Sequence, residues 1–364
     1  MPAEELLDAA SNRFYAGLCV TTMESQAMRI STNRFRTALA VGASLAAVTA
    51  SAQPSTTALG VQRLLILSKN ERMLSIVDPA TLKIVGRVPA GPDPHEVVAS
   101  ADGTRAYISN YGGGAYNTLT VVDLVNQKSL GTIDLGALRG PHGLDFAGGK
   151  VWFTSEVAKV IGSYDPATNK VDWVLGTGQN GTHMVYAYRD LSRLVTTNVG
   201  SGTVSIISKR AGPRPDWDVI TVQAGGRVEG MDVSPDGKQI WAANAQQGTI
   251  TVIDVASTGS KALDAGVTGA NRLKFTPDGK LVLVSTLAGP NLTIINASDY
   301  TSEPKRIPVG RGAAGIQIQP DGLRAYIACS PDDYVAVVDL KSFQVVGRIE
   351  AGKNPDGLAW AVTR

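Results

Sequence analysis

From residue 60 onward the chain repeats itself with a period of about 43 residues. The unit at 226–269 shows the plan. Glu229-Gly-Met-Asp-Val-Ser reads as a short strand and Pro235-Asp236-Gly237-Lys238 as a tight turn. Gln239 to Asn244 reads as a second strand, Ala245 to Gly248 as a loop and Thr249 to Asp254 as an alternating third strand. Leu263 to Val267 marks a weaker fourth. A four-stranded unit of this length cannot bury both of its apolar faces alone and must stack on copies of itself, which is the logic of a propeller blade.

The other units align with it. Asp-Gly turns recur at Asp102-Gly103, Asp278-Gly279 and Asp321-Gly322, with Gly148-Gly149 in the same slot of the second unit. The unit at 181–225 departs, with Arg189-Asp190-Leu191-Ser192 there. Third strands end in an acid at Asp78, Asp123, Asp165 and Asp339. Six units begin near 93, 140, 181, 227, 269 and 312. What remains is a first strand at Asp356 to Val362 and strands two to four at Arg63–Ser68, Met73–Asp78 and Lys83–Val88. Together the two ends make a seventh blade. The chain over 53–364 is therefore expected to be all-β: a single seven-bladed β-propeller of four-stranded blades, its ring closed by the N-terminal strands plus the C-terminal strand, which hides the sheet edges.

Ahead of the repeats lies a leader. Met28 to Arg36 is basic, Ala38 to Val48 is apolar but too short to span a bilayer, and Ala50-Ser51-Ala52 supplies small residues for cleavage. Residues 28–52 are expected to be a secretory signal peptide, with residues 1–27 a dispensable upstream extension. The mature protein is then periplasmic or secreted, with no membrane segment. Without Cys19, Cys329 is alone and is expected to be buried and inert. A net charge of +2 gives no reason to expect nucleic acid as a partner. A monomer acting on a small molecule is expected.

The three histidines of the chain occupy one slot of the repeat, the start of the first strand. They are His95, His142 and His183, and the following units put Glu229, Asn271, Ala314 and Asp356 in that slot. In a propeller the first strand lines the central channel. The three imidazoles are thus expected to meet at the channel mouth from consecutive blades, with Glu229 next in the ring. Such a set suits a divalent ion, zinc first, with copper, iron, manganese or magnesium as alternatives. Glu229 is expected to be a fourth ligand or a general base. The ends of the second strands reach the same face and carry Asn110, Glu156, Asn198 and Asn244, with Tyr111 just beyond. The asparagines are expected to close turns, while Glu156, standing in place of Asn, is a candidate catalytic base or partner of an imidazole N–H. The loops leading to the first strands bear Arg139, Arg227, Arg272 and Arg311, which with Tyr111 are the expected contacts for an anionic substrate.

Asp-Gly turns (Pro235-Asp236-Gly237 in full) followed by Ala106-Tyr-Ile-Ser-Asn110 or Trp241-Ala-Ala-Asn244, then Thr-Xaa-Thr-Val-(Val/Ile)-Asp, resemble the repeats of YVTN-family β-propellers. The resemblance covers essentially all of 60–364 and implies a secreted seven-bladed propeller. The second unit, with Pro141-His142-Gly-Leu and Val151-Trp-Phe-Thr-Ser-Glu156, is similar to a blade of the streptogramin (virginiamycin B) lyases, which implies a metal and catalytic His and Glu in the central cleft. The expected function is a metal-dependent lyase or hydrolase of the lactonase or ester type. The alternative is a non-catalytic periplasmic or surface scaffold for protein, glycan or DNA. No Gly-Xaa-Ser-Xaa-Gly elbow argues for a serine hydrolase.

Overall fold

The computed structural model describes residues 60–212 and 216–363. The upstream extension, the signal segment and Cys19 lie outside the described residues. Among the described residues, strands form seven four-stranded antiparallel sheets, the seven-bladed propeller expected from the repeat. Blades 1 to 6 begin with the inner strands Pro94–Ala99, Pro141–Ala147, Thr182–Ala187, Val228–Val233, Ala270–Phe275 and Ala313–Ile318. Blade 7 takes its inner strand, Pro355–Thr363, from the C-terminus. That strand pairs with Val61–Ser68, and Met73–Asp78 and Lys83–Pro89 complete the sheet. The fourth strand of blade 4 runs Ser260–Asp264, slightly ahead of the apolar stretch that marked it in the sequence.

Among the described residues the apolar side chains do not gather into a single core. Seven apolar clusters sit one between each pair of adjacent blades. The two-residue period of a strand feeds two of them at once. Leu64 and Ile66 pack against blade 6, while Leu65 and Leu67 pack against blade 1. Outer strands are half-solvated and alternate accordingly, as in Lys170–Gly176.

The turns between first and second strands hold by local chemistry. The Asp236 carboxylate accepts from Ser234 Oγ at 2.6 Å and from the Lys238 backbone N–H at 3.1 Å, while Gly237 takes φ +72°. The divergent blade 3 keeps this device. Asp190 accepts from the Ser192 N–H at 3.0 Å, and Leu191 adopts the left-handed φ of +54° that glycine takes elsewhere. Its side chain packs between blades 2 and 3, which offsets the strain. Cys329 is fully buried between blades 5 and 6, where burial pushes its thiol up to about 12.

Candidate functional site

Each inner strand opens with a β-bulge. Pro94 pairs with Asn110 but Val97 with Ile108, so His95 and Glu96 together oppose Ser109. The same break falls between Pro141 and Leu144, Thr182 and Val185, Val228 and Met231, Ala270 and Leu273, and Ala313 and Ile316. Two residues against one re-aims the side chains, and the bulge is what turns the histidine slot to the channel.

Hydroxyl groups lock these bulges to one another. Thr154 Oγ1 accepts from the Gly143 N–H of its own blade at 2.9 Å and donates to the His183 carbonyl of the next blade at 2.5 Å. Ser109 does the same between Glu96 N–H and the His142 carbonyl, and Thr197 between Met184 N–H and the Glu229 carbonyl. Glycine at 143 is required: a Cβ there would lie 2.5 Å from the His183 carbonyl oxygen. Replacing Thr154 with valine keeps the shape and removes both hydrogen bonds. We expect a loss of about 1–3 kcal/mol in urea unfolding, with Thr154→Ser close to wild type. A valine variant as stable as wild type would contradict this role.

A second ring of residues stands one position beyond the ends of the second strands. It comprises Tyr111, Glu156, Val199, Ala245, Leu287, Ser330 and Lys69. Each donates its backbone N–H to the carbonyl of the residue two before the slot, as in Glu156 to Gly140 at 3.0 Å and Lys69 to Asn354 at 3.1 Å. This corrects the sequence alignment of Glu156. Ser155, not Glu156, pairs with Pro141 as Asn110 pairs with Pro94. One residue along a strand changes the face, so Glu156 points into the channel instead of closing a turn. The asparagines do close turns: Asn110 bonds Thr118 and Thr120, and Asn198 bonds Thr203 and Ser205.

The two rings enclose a cavity of about 400 Å³ at the channel mouth, lined by all three histidines. The rings of His95 and His142 have centroids 4.2 Å apart, and those of His142 and His183 3.7 Å apart. Glu156 bonds His183 Nδ1 through one oxygen and accepts from the Tyr111 hydroxyl through the other. Glu229 Oε2 lies 3.0 Å from His183 Nε2, yet that nitrogen makes no hydrogen bond. His142 Nδ1 is likewise buried without a partner. Ligand atoms of His142, Glu156 and His183 all lie within 4.8 Å of one another. Of the metal ligands expected from the sequence, His142 and His183 belong to this group. His95 and Glu229 border it, and Glu156 joins it.

Charge follows burial and neighbours. Burial, reinforced by the other histidines, holds His142 well below the usual imidazole range. Burial also opposes a charge on His183, but the Glu156 and Glu229 carboxylates outweigh it and pull the group upward. Glu229 is held down to about 2, against its burial, by His183 and the Arg272 and Arg227 guanidiniums. Glu156 is lowered against its burial by His183 and Tyr111. Burial and the Glu156 carboxylate push the Tyr111 phenol up. Ionised carboxylates thus stand beside bare imidazole nitrogens.

The expected arginines divide. Arg227 reaches Glu229 at 2.6 Å and is mostly exposed at the rim. Arg272 is partly buried, its side chain 12% exposed, and crosses the channel from blade 5 to Glu96 of blade 1 at 2.7 Å, with Glu229 4.0 Å away. Arg139 and Arg311 do not line the cavity. Both are exposed, and Arg311 pairs with Asp332 instead. Their loops approach the channel, but the side chains fall on the solvent side. Below the Arg272–Glu96 crossbar lies a second cavity of about 340 Å³, and among the described residues only Arg272 lines both.

Sequence reasoning missed Lys69, and it saw Asp356 only as a slot residue. Lys69 Nζ lies 2.5 Å from His95 Nδ1, and Asp356 Oδ2 lies 2.9 Å from the same atom. The signal was available in the alignment of second-strand ends, which puts Lys69 level with Tyr111. It was obscured because blade 7 is assembled from both ends of the chain.

No known family's sequence profile matches the chain, and no curated protein matches it. Solved structures do. A chain of Kuenenia stuttgartiensis hydrazine synthase superposes with a TM-score of 0.65 at 18% identity, over 79% of this chain and 98% of its own. A candidate 6-phosphogluconolactonase from Bacteroides uniformis gives 0.65 at 14% identity, over 83% of this chain and all of its own. The dihydro-heme d1 dehydrogenase NirN, solved in complex with DHE, gives 0.58 at 14% identity, over 79% of this chain and 63% of its own. At such identities the likeness establishes the propeller fold and not the finer resemblance to YVTN or streptogramin-lyase repeats.

Proposed function

We propose that the chain is an exported, metal-dependent lyase or hydrolase of the lactone or ester type. Its substrate is a small molecule bound in the cavity at the channel mouth. The observation that carries this reading is the pair of buried imidazole nitrogens, His142 Nδ1 and His183 Nε2, left without hydrogen-bond partners beside ionised carboxylates. An orphaned buried acceptor costs stability unless something binds it, and a cation fits this donor set. His142 and His183 would hold the ion through their unpartnered nitrogens, with Glu156 fixing the His183 ring through Nδ1, and the ion would supply Lewis acidity toward a substrate carbonyl. Glu229, ionised and beside His183, can take up a proton at Oε2. The Tyr111 hydroxyl holds Glu156 in place. Arg272, the cation at the cavity floor, orients an anionic substituent. The candidate lactonase among the structural neighbours supports the reaction class, and the leader at 28–52 supports export.

The test is a screen of zinc-, manganese- and copper-loaded protein against lactones, cyclic esters and uronate oligomers. Turnover that disappears with a chelator and falls at least about 100-fold in Glu229→Gln is the expected result. Protein that takes up no stoichiometric metal and turns over none of these compounds would overturn the reading in favour of a binding scaffold.

A further inference from the structure

His95 is held differently from the other two histidines. Lys69 Nζ lies 2.5 Å from its Nδ1, and Asp356 Oδ2 lies 2.9 Å from that same nitrogen. Lys69 Nζ is also 3.3 Å from Asp356 Oδ2 and 3.5 Å from Asp93 Oδ1. An ammonium carries donors only and a carboxylate acceptors only. One ring nitrogen cannot accept from Lys69 and donate to Asp356 at the same time. The shorter contact decides. Nδ1 accepts from Lys69, and the Asp356 and Asp93 carboxylates balance the ammonium charge. The proton of the neutral ring then sits on Nε2.

The opposite arrangement holds on blade 3, where His183 Nδ1 faces the Glu156 carboxylate and leaves Nε2 for a ligand. His95 therefore offers the cavity an N–H where its neighbours offer lone pairs. Its ring stacks on Tyr111 at 5.4 Å and meets His142 edge-on, which fixes its plane. The residues that set the tautomer come from blade 7 and are themselves fixed. Lys69 is tied by its backbone N–H to Asn354, and Asp356 opens the inner strand beside that of His95.

We propose that His95 is not a ligand of the ion but a catalytic hydrogen-bond donor. Through Nε2–H it would bind the substrate oxygen on which negative charge develops, with Lys69 and Asp356 as positioning residues that fix its tautomer. The substrate contact rests on the lyase or hydrolase reading above; the tautomer does not. A fixed N–H aimed at a developing oxyanion is a strong electrostatic device because it needs no reorganisation as charge builds.

Two measurements test this without an assay of activity. The first is a long-range proton–nitrogen correlation on nitrogen-15-labelled, metal-free protein, with the His95 signals assigned by their loss in His95→Gln. A protonated Nε2 and a bare Nδ1 are expected in wild type, and a switch to protonated Nδ1 in Lys69→Met. Protonated Nδ1 in wild type would overturn the proposal. The second is calorimetric titration with zinc. His95→Gln should bind within about threefold of wild type, while His142→Ala should lose affinity by about 100-fold or more. Equal losses in the two variants would make His95 a ligand and end the proposal. Were wild type to bind no zinc at all, the metal reading would fall, and the tautomer measurement would still stand on its own.

Discussion

Alanine at His142 or at His183 is expected to abolish stoichiometric binding of a divalent ion, weakening it by at least about 100-fold, since disturbing even the partners of ligands costs 10–100-fold. These imidazoles supply the two buried ring nitrogens that make no hydrogen bond among the described residues. His142 is kept neutral by its burial, so its lone pair is free at neutral pH. Removing either leaves the ion only one nitrogen of the pair, too few ligands to displace its water. The fold should hardly notice. The seven apolar clusters lie between blades, away from the slot. An unpartnered buried polar atom is itself a cost, so the metal-free His142→Ala protein should melt at or above the metal-free wild type. Metal content by elemental analysis, affinity by calorimetry and the melting temperature check these statements together. Variants that bind as tightly as wild type would remove both histidines from the site.

Ending the chain at Asn354 is expected to abolish cooperative folding. The lost strand pairs with Val61–Ser68 along its length, from Val61 with Thr363 to Ser68 with Pro355. Leu64, Leu65, Ile66 and Leu67, all fully buried, would lose one wall. At about 1.5–3 kcal/mol per buried side chain, those four alone are worth on the order of 6–12 kcal/mol. That is comparable to the whole stability of a typical domain. Two of the seven clusters would open, and a long apolar edge would be free to pair with other chains. Circular dichroism and size-exclusion chromatography should show an aggregated or unfolded product. A soluble monomer melting within a few degrees of the full chain would refute the closure. Asp356→Asn is the control, because it keeps the strand.

The ring itself was legible in the sequence, because blades are made by short-range patterns: alternation, Asp-Gly turns and a constant period. The slot shared by His95, His142 and His183 was legible for the same reason. What escaped depends on single-residue phase and on side-chain direction. Glu156 sits one residue past the aligned asparagines, and a strand of period two does not forgive one residue. The bulges that aim the slot leave no mark in composition. Arg139 and Arg272 look alike as cations near a first strand. Only the fold shows that one lies in solvent and the other spans the channel, because loop residues answer to no periodicity. Lys69 belongs to a blade whose first strand lies nearly three hundred residues away in the chain, so no local repeat could join it to Asp356.

The crossbar of Arg272 and Glu96 has a kinetic meaning. It turns what would be a pipe into a cup. On the proposed reading, whatever enters the upper chamber leaves by the door it came through, so product would have to clear before the next molecule arrives. Traffic, as much as chemistry, then selects what such a vessel can process.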